Sequence, residues 1–148
     1  MAAAPRAGAI RIALVVDSGP LFAYADRSDP RHSECLRLLA THPGPLLVPM
    51  LCVAEVAHLI ESRLGSSVEV RFLGDLSSGA LIPEPVAASD WLRIAELVHR
   101  YCDMPLGTVD ASVVAAAERL GVTQIATLDH RHFGVMRPAH TDAFELLP

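Results

Sequence analysis

The chain has 148 residues, the size of one ordinary domain, and a folded chain of this length buries about 68–70% of its unfolded surface. Hydrophobic residues make up 51% and charged residues 20%, which excludes an intrinsically disordered chain. Twelve basic against 17 acidic residues give a formal charge of −5, so a strongly basic nucleic-acid footprint is excluded and only a local basic patch is compatible.

Ile10–Val16 (IRIALVV) predicts a buried strand, and Asp17-Ser18-Gly19-Pro20 a turn into a short helix that continues through Leu21–Ala25. Asp29-Pro30 predicts a helix start, since Asp caps free N–H groups and Pro suits the first helical position. That helix runs to about Thr41 with Cys35, Leu36, Leu38 and Leu39 inward, and His42-Pro43-Gly44-Pro45 ends it. A second strand follows at Leu46–Val48, then a long helix over Leu51–Leu64 closed by Gly65. Val68, Phe72 and Leu76 stand at helical spacing in Val68–Leu76, and Ala80–Ile82 reads as a third strand. Ser89–Tyr101 places Trp91, Ile94, Ala95 and Val98 on one stripe, while Thr108–Leu120 predicts a helix capped by Thr108 and closed by Gly121. Gln124–Thr127 and Phe144–Leu146 complete the strands. Short apolar strands alternating with helices define an α/β fold with a mostly parallel sheet of four to five strands. Without internal repeats or a low-complexity linker, 1–148 is expected to be a single domain, with 1–9 a flexible extension.

Every basic residue is Arg, because Lys is absent. No P-loop lysine, pyridoxal Schiff base or lysine nucleophile is therefore available. Cys35, Cys52 and Cys102 form no zinc or redox spacing and read as reduced core residues of a cytoplasmic protein. The longest apolar stretch, Leu46–Ala57, is interrupted by Pro49 and Glu55, so no membrane span is expected, and the N-terminus lacks the apolar core of a signal peptide.

Four carboxylates stand in unusual places. Asp17 directly follows the first strand, where open parallel sheets put their ligands; a helix cap explains it equally well. Glu55 is the only charge between Leu46 and Ala57. A buried, unpaired carboxylate costs several kcal/mol or takes up a proton unless a partner such as a metal ion neutralises it. The plainer reading is a carboxylate near a helix N-terminus, favoured by the macrodipole by about 0.3–1 kcal/mol. Asp110 lies at the start of the Thr108 helix, where Asp is common for dipole reasons. It also heads the apolar stripe of Val113, Val114 and Ala117, which directs it towards the sheet. Asp129 ends another strand, on the side of Thr127 if the strand persists that far, and a turn or cap accounts for it equally. Acids crowded at one sheet edge repel unless a hard cation lies between them, and an all-oxygen donor set suits Mg2+ or Mn2+. Metal-assisted cleavage of a phosphodiester is the chemistry that follows.

The segments VVDSGPLFAYADRSDPRH, VPMLCVAEVAHLI and MPLGTVDASVVAAAERLGVTQIATLDHRHFGVMRP resemble the PIN-domain ribonucleases, most closely the VapC toxins of VapBC toxin–antitoxin pairs, over about Ile12 to Pro148. The resemblance implies a doubly wound, three-layer α/β/α sandwich. Its catalytic, metal-binding acids would be Asp17, Glu55, Asp110 and Asp129, holding one or two Mg2+ or Mn2+ ions for endonucleolytic RNA cleavage. It further implies a homodimer and a VapB-like antitoxin whose C-terminal segment covers a groove near the active site. Ser18 and Thr127 are candidates for hydrogen bonds that orient the acids. Arg27, Arg31, Arg131 and Arg137, on loops or helix starts near that edge, are candidates for holding RNA phosphates, with solvated surface arginine as the plainer reading.

His130 and His132 flank Arg131 without a third nitrogen or sulfur ligand nearby, which leaves a zinc site poorly supported; the resemblance makes this a structural loop with Phe133 packed inward. Two other function classes compete: a catalytically silent PIN-like module that binds RNA or protein, and an acid-rich phosphatase or receiver domain. The four intact acids argue against the first, and the absence of Lys and of a DxD pair after the first strand against the second.

Overall fold

The computed structural model describes residues 12–148. The expected extension at 1–9, and Ile10 and Arg11 of the expected first strand, lie outside them. Five short strands form one all-parallel sheet: β1 (Leu14–Val16), β2 (Leu46–Pro49), β3 (Ile82–Glu84), β4 (Gln124–Ala126) and β5 (Glu145–Leu147), in the order β3-β2-β1-β4-β5. Seven helices connect them among the described residues: α1 (Ser18–Ala25), α2 (His32–Thr41), α3 (Met50–Arg63), α4 (Ser66–Ser78), α5 (Ala88–Arg100), α6 (Thr108–Leu120) and α7 (His130–Val135).

β1 and β2 are buried throughout, which is why they read as continuous apolar runs rather than alternating ones. Register pairs Leu14 with Leu46 on one side and with Gln124 on the other. From β1 the chain moves outward through β2 to β3, then crosses back through α5 and α6 to β4, on the other side of β1. This reversal of strand order opens a crevice between the carboxyl ends of β1 and β4, the place where open α/β sheets bind ligands. With this strand order, the right-handed rule for parallel crossovers assigns α1–α4 to one face and α5–α7 to the other.

The helix α6 is buried along Ala111–Ala117, a run of Ala, Ser and Val small enough to lie close on β1 and β2. Gly121 ends it in the left-handed region at φ +67°, and the next N–H, from Val122, donates to the Ala117 carbonyl at 2.9 Å. Ion pairs fasten α6 to its neighbours: Arg119 reaches Asp90 on α5 and Glu84 on β3, and Arg93 of α5 reaches Glu118 at 2.8 Å.

Several expectations need correction. The first strand starts at Leu14, since Ile12 is half exposed. Asp29 does not cap α2; its carboxylate accepts the Arg31 N–H at 2.7 Å in a turn, and the helix begins at His32. Leu36 lies on the exposed side of α2. The third strand sits two residues later than expected, and the last strand one later. On α5 the buried line is Asp90, Ile94 and Leu97, leaving Trp91 51% exposed, because the Arg119 ion pair draws Asp90 inward. Gly107, not Thr108, precedes α6 as its cap residue, and Cys102 is exposed.

Gly44 permits the β1–β2 entry, where Leu14 N–H donates to the Pro45 carbonyl at 2.9 Å. A Cβ at position 44 would lie 2.0 Å from the Ile12 carbonyl oxygen. Gly44→Ala is expected to cost about 2–3 kcal/mol, read as a lowered urea midpoint with an unchanged slope; a wild-type midpoint would show that this entry can shift freely.

Candidate functional site

The carboxyl ends of β1 and β4 lie side by side, which brings Asp17 next to Thr127. The Asp17 N–H donates to the Ala126 carbonyl at 2.9 Å, and the Thr127 N–H to Leu147 at 2.8 Å, so both residues are fixed by the sheet just beyond its last paired positions. Asp17 is the cap residue of α1. Its Oδ1 accepts the Ser18 N–H at 2.8 Å and its Oδ2 accepts the Thr127 hydroxyl at 2.9 Å. The Thr127 oxygen in turn accepts the Asp129 N–H at 3.0 Å, so one hydroxyl links the two acid-bearing turns.

Asp17 is buried at 6% exposure and no cation pairs with it among the described residues. Burial raises its pKa and the Ser18 N–H lowers it; Asp110, and more weakly Glu55, push it up again, and Thr127 opposes them, for a net value of about 6. Asp110, third residue of α6, is raised for the same leading reason, burial, with the Gly107 N–H lowering it and the charges of Asp129 and Glu55 raising it. The four acids therefore sense one another across a single edge. Cys52, one turn before Glu55 on α3, packs into the same place with its Sγ 3.9 Å from Asp17 Oδ1; burial first, then Asp17, holds its thiol neutral. Ser18 Oγ is buried without a hydrogen-bond partner among the described residues.

Two carboxylates differ from the sequence reading. Glu55 is exposed, because α3 buries only the line of Cys52, Val56 and Ile60; its apolar neighbours in sequence are not neighbours around it in space. Asp129 is not carried on a continuing strand, which stops at Ala126; it caps α7, with Oδ1 accepting the His132 N–H at 3.1 Å. Its Oδ2 meets the His132 ring Nδ1 at 2.6 Å. The sequence reading weighs that histidine only as half of the His130/His132 pair and sets it aside, although the D-x-x-H spacing at a helix start is a legible signal for its bond to Asp129. Phe133 is buried as expected.

The arginines divide. Arg131 is exposed beside Asp129 and has no hydrogen bond or ion pair among the described residues. Arg31 is tied to Glu34, and Arg137 folds back on the carbonyls of Gly134 and Met136. Arg27 lies beyond the far end of α1 from Asp17, in a cleft of about 280 Å3 with Arg71, Leu36, Val68 and Phe72.

An all-oxygen set of acids with a buried, unpaired member and an orphaned hydroxyl fits a hard divalent cation. Among the described residues no three acidic, histidine or cysteine side chains are gathered round one point. A cation here would thus engage few protein ligands at a time and retain water, as Mg2+ commonly does.

Residues 14–137 match the family model of the PIN domain. Ribonuclease VapC26 of Mycobacterium tuberculosis is 31% identical over 135 residues, covering 91% of this chain and all of that protein. Among solved structures, the sarcin-ricin loop cleaving toxin VapC20 of M. tuberculosis superposes with a TM-score of 0.71 at 23% identity, covering 76% of this chain and 86% of that one. VapBC2 from Rickettsia felis, bound to a DNA fragment from its promoter, gives 0.67 at 14% identity over 92% and 99% of the two chains.

A carboxyl group with its pKa raised in the folded state binds more protons folded than unfolded, so its contribution to stability falls as pH climbs from about 4 to 6 and stays lost above that. In EDTA at about pH 7.5, Asp17→Asn is expected to stabilise the protein by about 1–3 kcal/mol. The gain should vanish near pH 4, as thermal melts at the two pH values would show; a variant that melts at or below wild type in both contradicts it.

Proposed function

The chain belongs to the PIN-domain family, and from that premise we propose that it is a divalent-metal-dependent endoribonuclease, the toxin of a VapBC-type pair, held in check by a cognate antitoxin. The observation that carries the reading is Asp17, a carboxylate buried without a countercharge at the reversal point of the sheet and raised further by two more acids. Folding accepts that unfavourable placement, which function explains better than capping does: a cap needs only the Ser18 bond and not burial. The name and identity of the ribonuclease VapC26 support the same reaction class.

Asp17, Asp110, Glu55 and Asp129 would hold Mg2+ or Mn2+. When bound, the ion supplies Lewis-acid stabilisation of charge on the phosphodiester and lowers the pKa of the attacking water. Thr127 fixes the Asp17 carboxylate from one side and Ser18 N–H from the other, so that it meets the cation without rotating. Glu55, exposed on α3, is the acid with the freest approach to water and substrate. Of the four arginines, Arg131 has the best claim on an RNA phosphate, since among the described residues its charge is not engaged and it lies beside Asp129, whereas Arg27, also not engaged, lies beyond the far end of α1.

The antitoxin segment is assigned to the cleft between α1, α2 and α4, whose apolar Leu36, Val68 and Phe72 are flanked by Arg27 and Arg71, a match for an apolar stretch bearing an acid. The exposed α5 face around Trp91 and Val98 is assigned to the second copy of a homodimer.

The test is cleavage of total bacterial RNA by the antitoxin-free protein with Mg2+, Mn2+ or EDTA. Discrete fragments are expected only with metal, and Asp17→Asn or Glu55→Gln should slow their appearance by roughly a hundredfold or more. Absence of both metal binding and cleavage by the antitoxin-free protein would instead favour the silent binding module.

A further inference from the structure

We propose that His132 is a positioning residue for the acidic edge: it sets the orientation of the Asp129 carboxylate and, through it, the affinity of the edge for a divalent cation. The inference rests on the metal-dependent reading above and adds to it a residue outside the set of four acids.

Asp129 and His132 stand three positions apart, one turn of α7. Capping requires a single bond, from the His132 N–H to Asp129 Oδ1 at 3.1 Å. The second bond, from the ring Nδ1 to Oδ2 at 2.6 Å, is beyond what a cap needs. An ionised carboxylate only accepts, so Nδ1 carries the hydrogen and the imidazole tautomer is set by this contact. With one oxygen held by the backbone and the other by the ring, the carboxylate cannot turn about its Cβ–Cγ bond without breaking a bond.

The contact also belongs to a longer chain. The Asp129 N–H donates to Thr127 Oγ1 at 3.0 Å, and the Thr127 hydroxyl donates to Asp17 Oδ2 at 2.9 Å. The imidazole, Asp129, Thr127 and Asp17 thus form one hydrogen-bonded unit across the ends of β4 and β1. Asp129 Oδ1 and Oδ2 keep further lone pairs for a cation or its water, and the ring bond decides where those lone pairs face. Through such outer contacts, ligand orientation commonly changes metal affinity by about 10–100-fold.

Two conservative variants separate positioning from simple helix capping. The side-chain amide nitrogen in His132→Asn falls where Nδ1 stood, whereas in His132→Gln it falls nearer the Nε2 position; both retain the backbone N–H cap. Calorimetric titration of the full, antitoxin-free chain with Mn2+ is expected to give His132→Asn within about twofold of wild type and His132→Gln about tenfold weaker. Thermal melts of the two variants in EDTA should agree with one another, because the cap survives in both. Equal Mn2+ affinities in the two variants, with wild-type binding intact, would overturn the role of His132 alone. Absence of Mn2+ binding by wild type would overturn this inference together with the metal-dependent reading.

Discussion

A carboxylate buried where β1 ends is the constraint on which the rest of the structure turns. Asp17 sits at 6% exposure with two hydrogen bonds and no cation partner among the described residues. Burial disfavours its charge, and two further acids add to the penalty rather than relieving it. Such a placement persists only if the surrounding elements are held independently of it. They are: β1 is buried throughout and paired on both sides, and α6 lies against it along seven consecutive buried residues.

The contrast with the other partly buried acids is instructive. Asp90, Glu84 and Glu118 each meet an arginine and bind α6 to α5 or to β3. Burial by itself would raise Glu118, but Arg93 and the Ala139 N–H hold it below the usual carboxylate range. These are structural ion pairs, and their geometry is complete within the chain. Asp17 and Asp110 are raised instead, and no arginine comes to them among the described residues. At an edge whose acids meet no arginine among the described residues, the proposed divalent cation would supply the countercharge.

On the proposed function, stability and function pull apart at this edge. The network from His132 through Asp129 and Thr127 to Asp17 orients acids that the metal-free fold would tolerate better neutral. A cation bound only by the folded state would restore the balance by mass action.

Much of this was legible in the sequence. The alternation of apolar strands with helices, the helix Thr108–Leu120, and the places of Asp17 at a strand end and Asp110 in a first helical turn follow from periodicity, turn residues and strand ends, which are local properties. The inward Phe133 follows from the family resemblance. Local pattern failed where burial depends on a distant partner. Asp90 rather than Trp91 faces inward because Arg119, on another helix, meets it. Glu55 is exposed because helical geometry separates it from the apolar residues on either side of it in the chain. The sequence by itself determined the fold class and which acids end strands or open helices, since those depend on neighbours within a turn or two. Only the tertiary structure decided which acids are buried, which are paired and which are gripped by His132, because charge and burial are set by residues that the chain brings together from far apart.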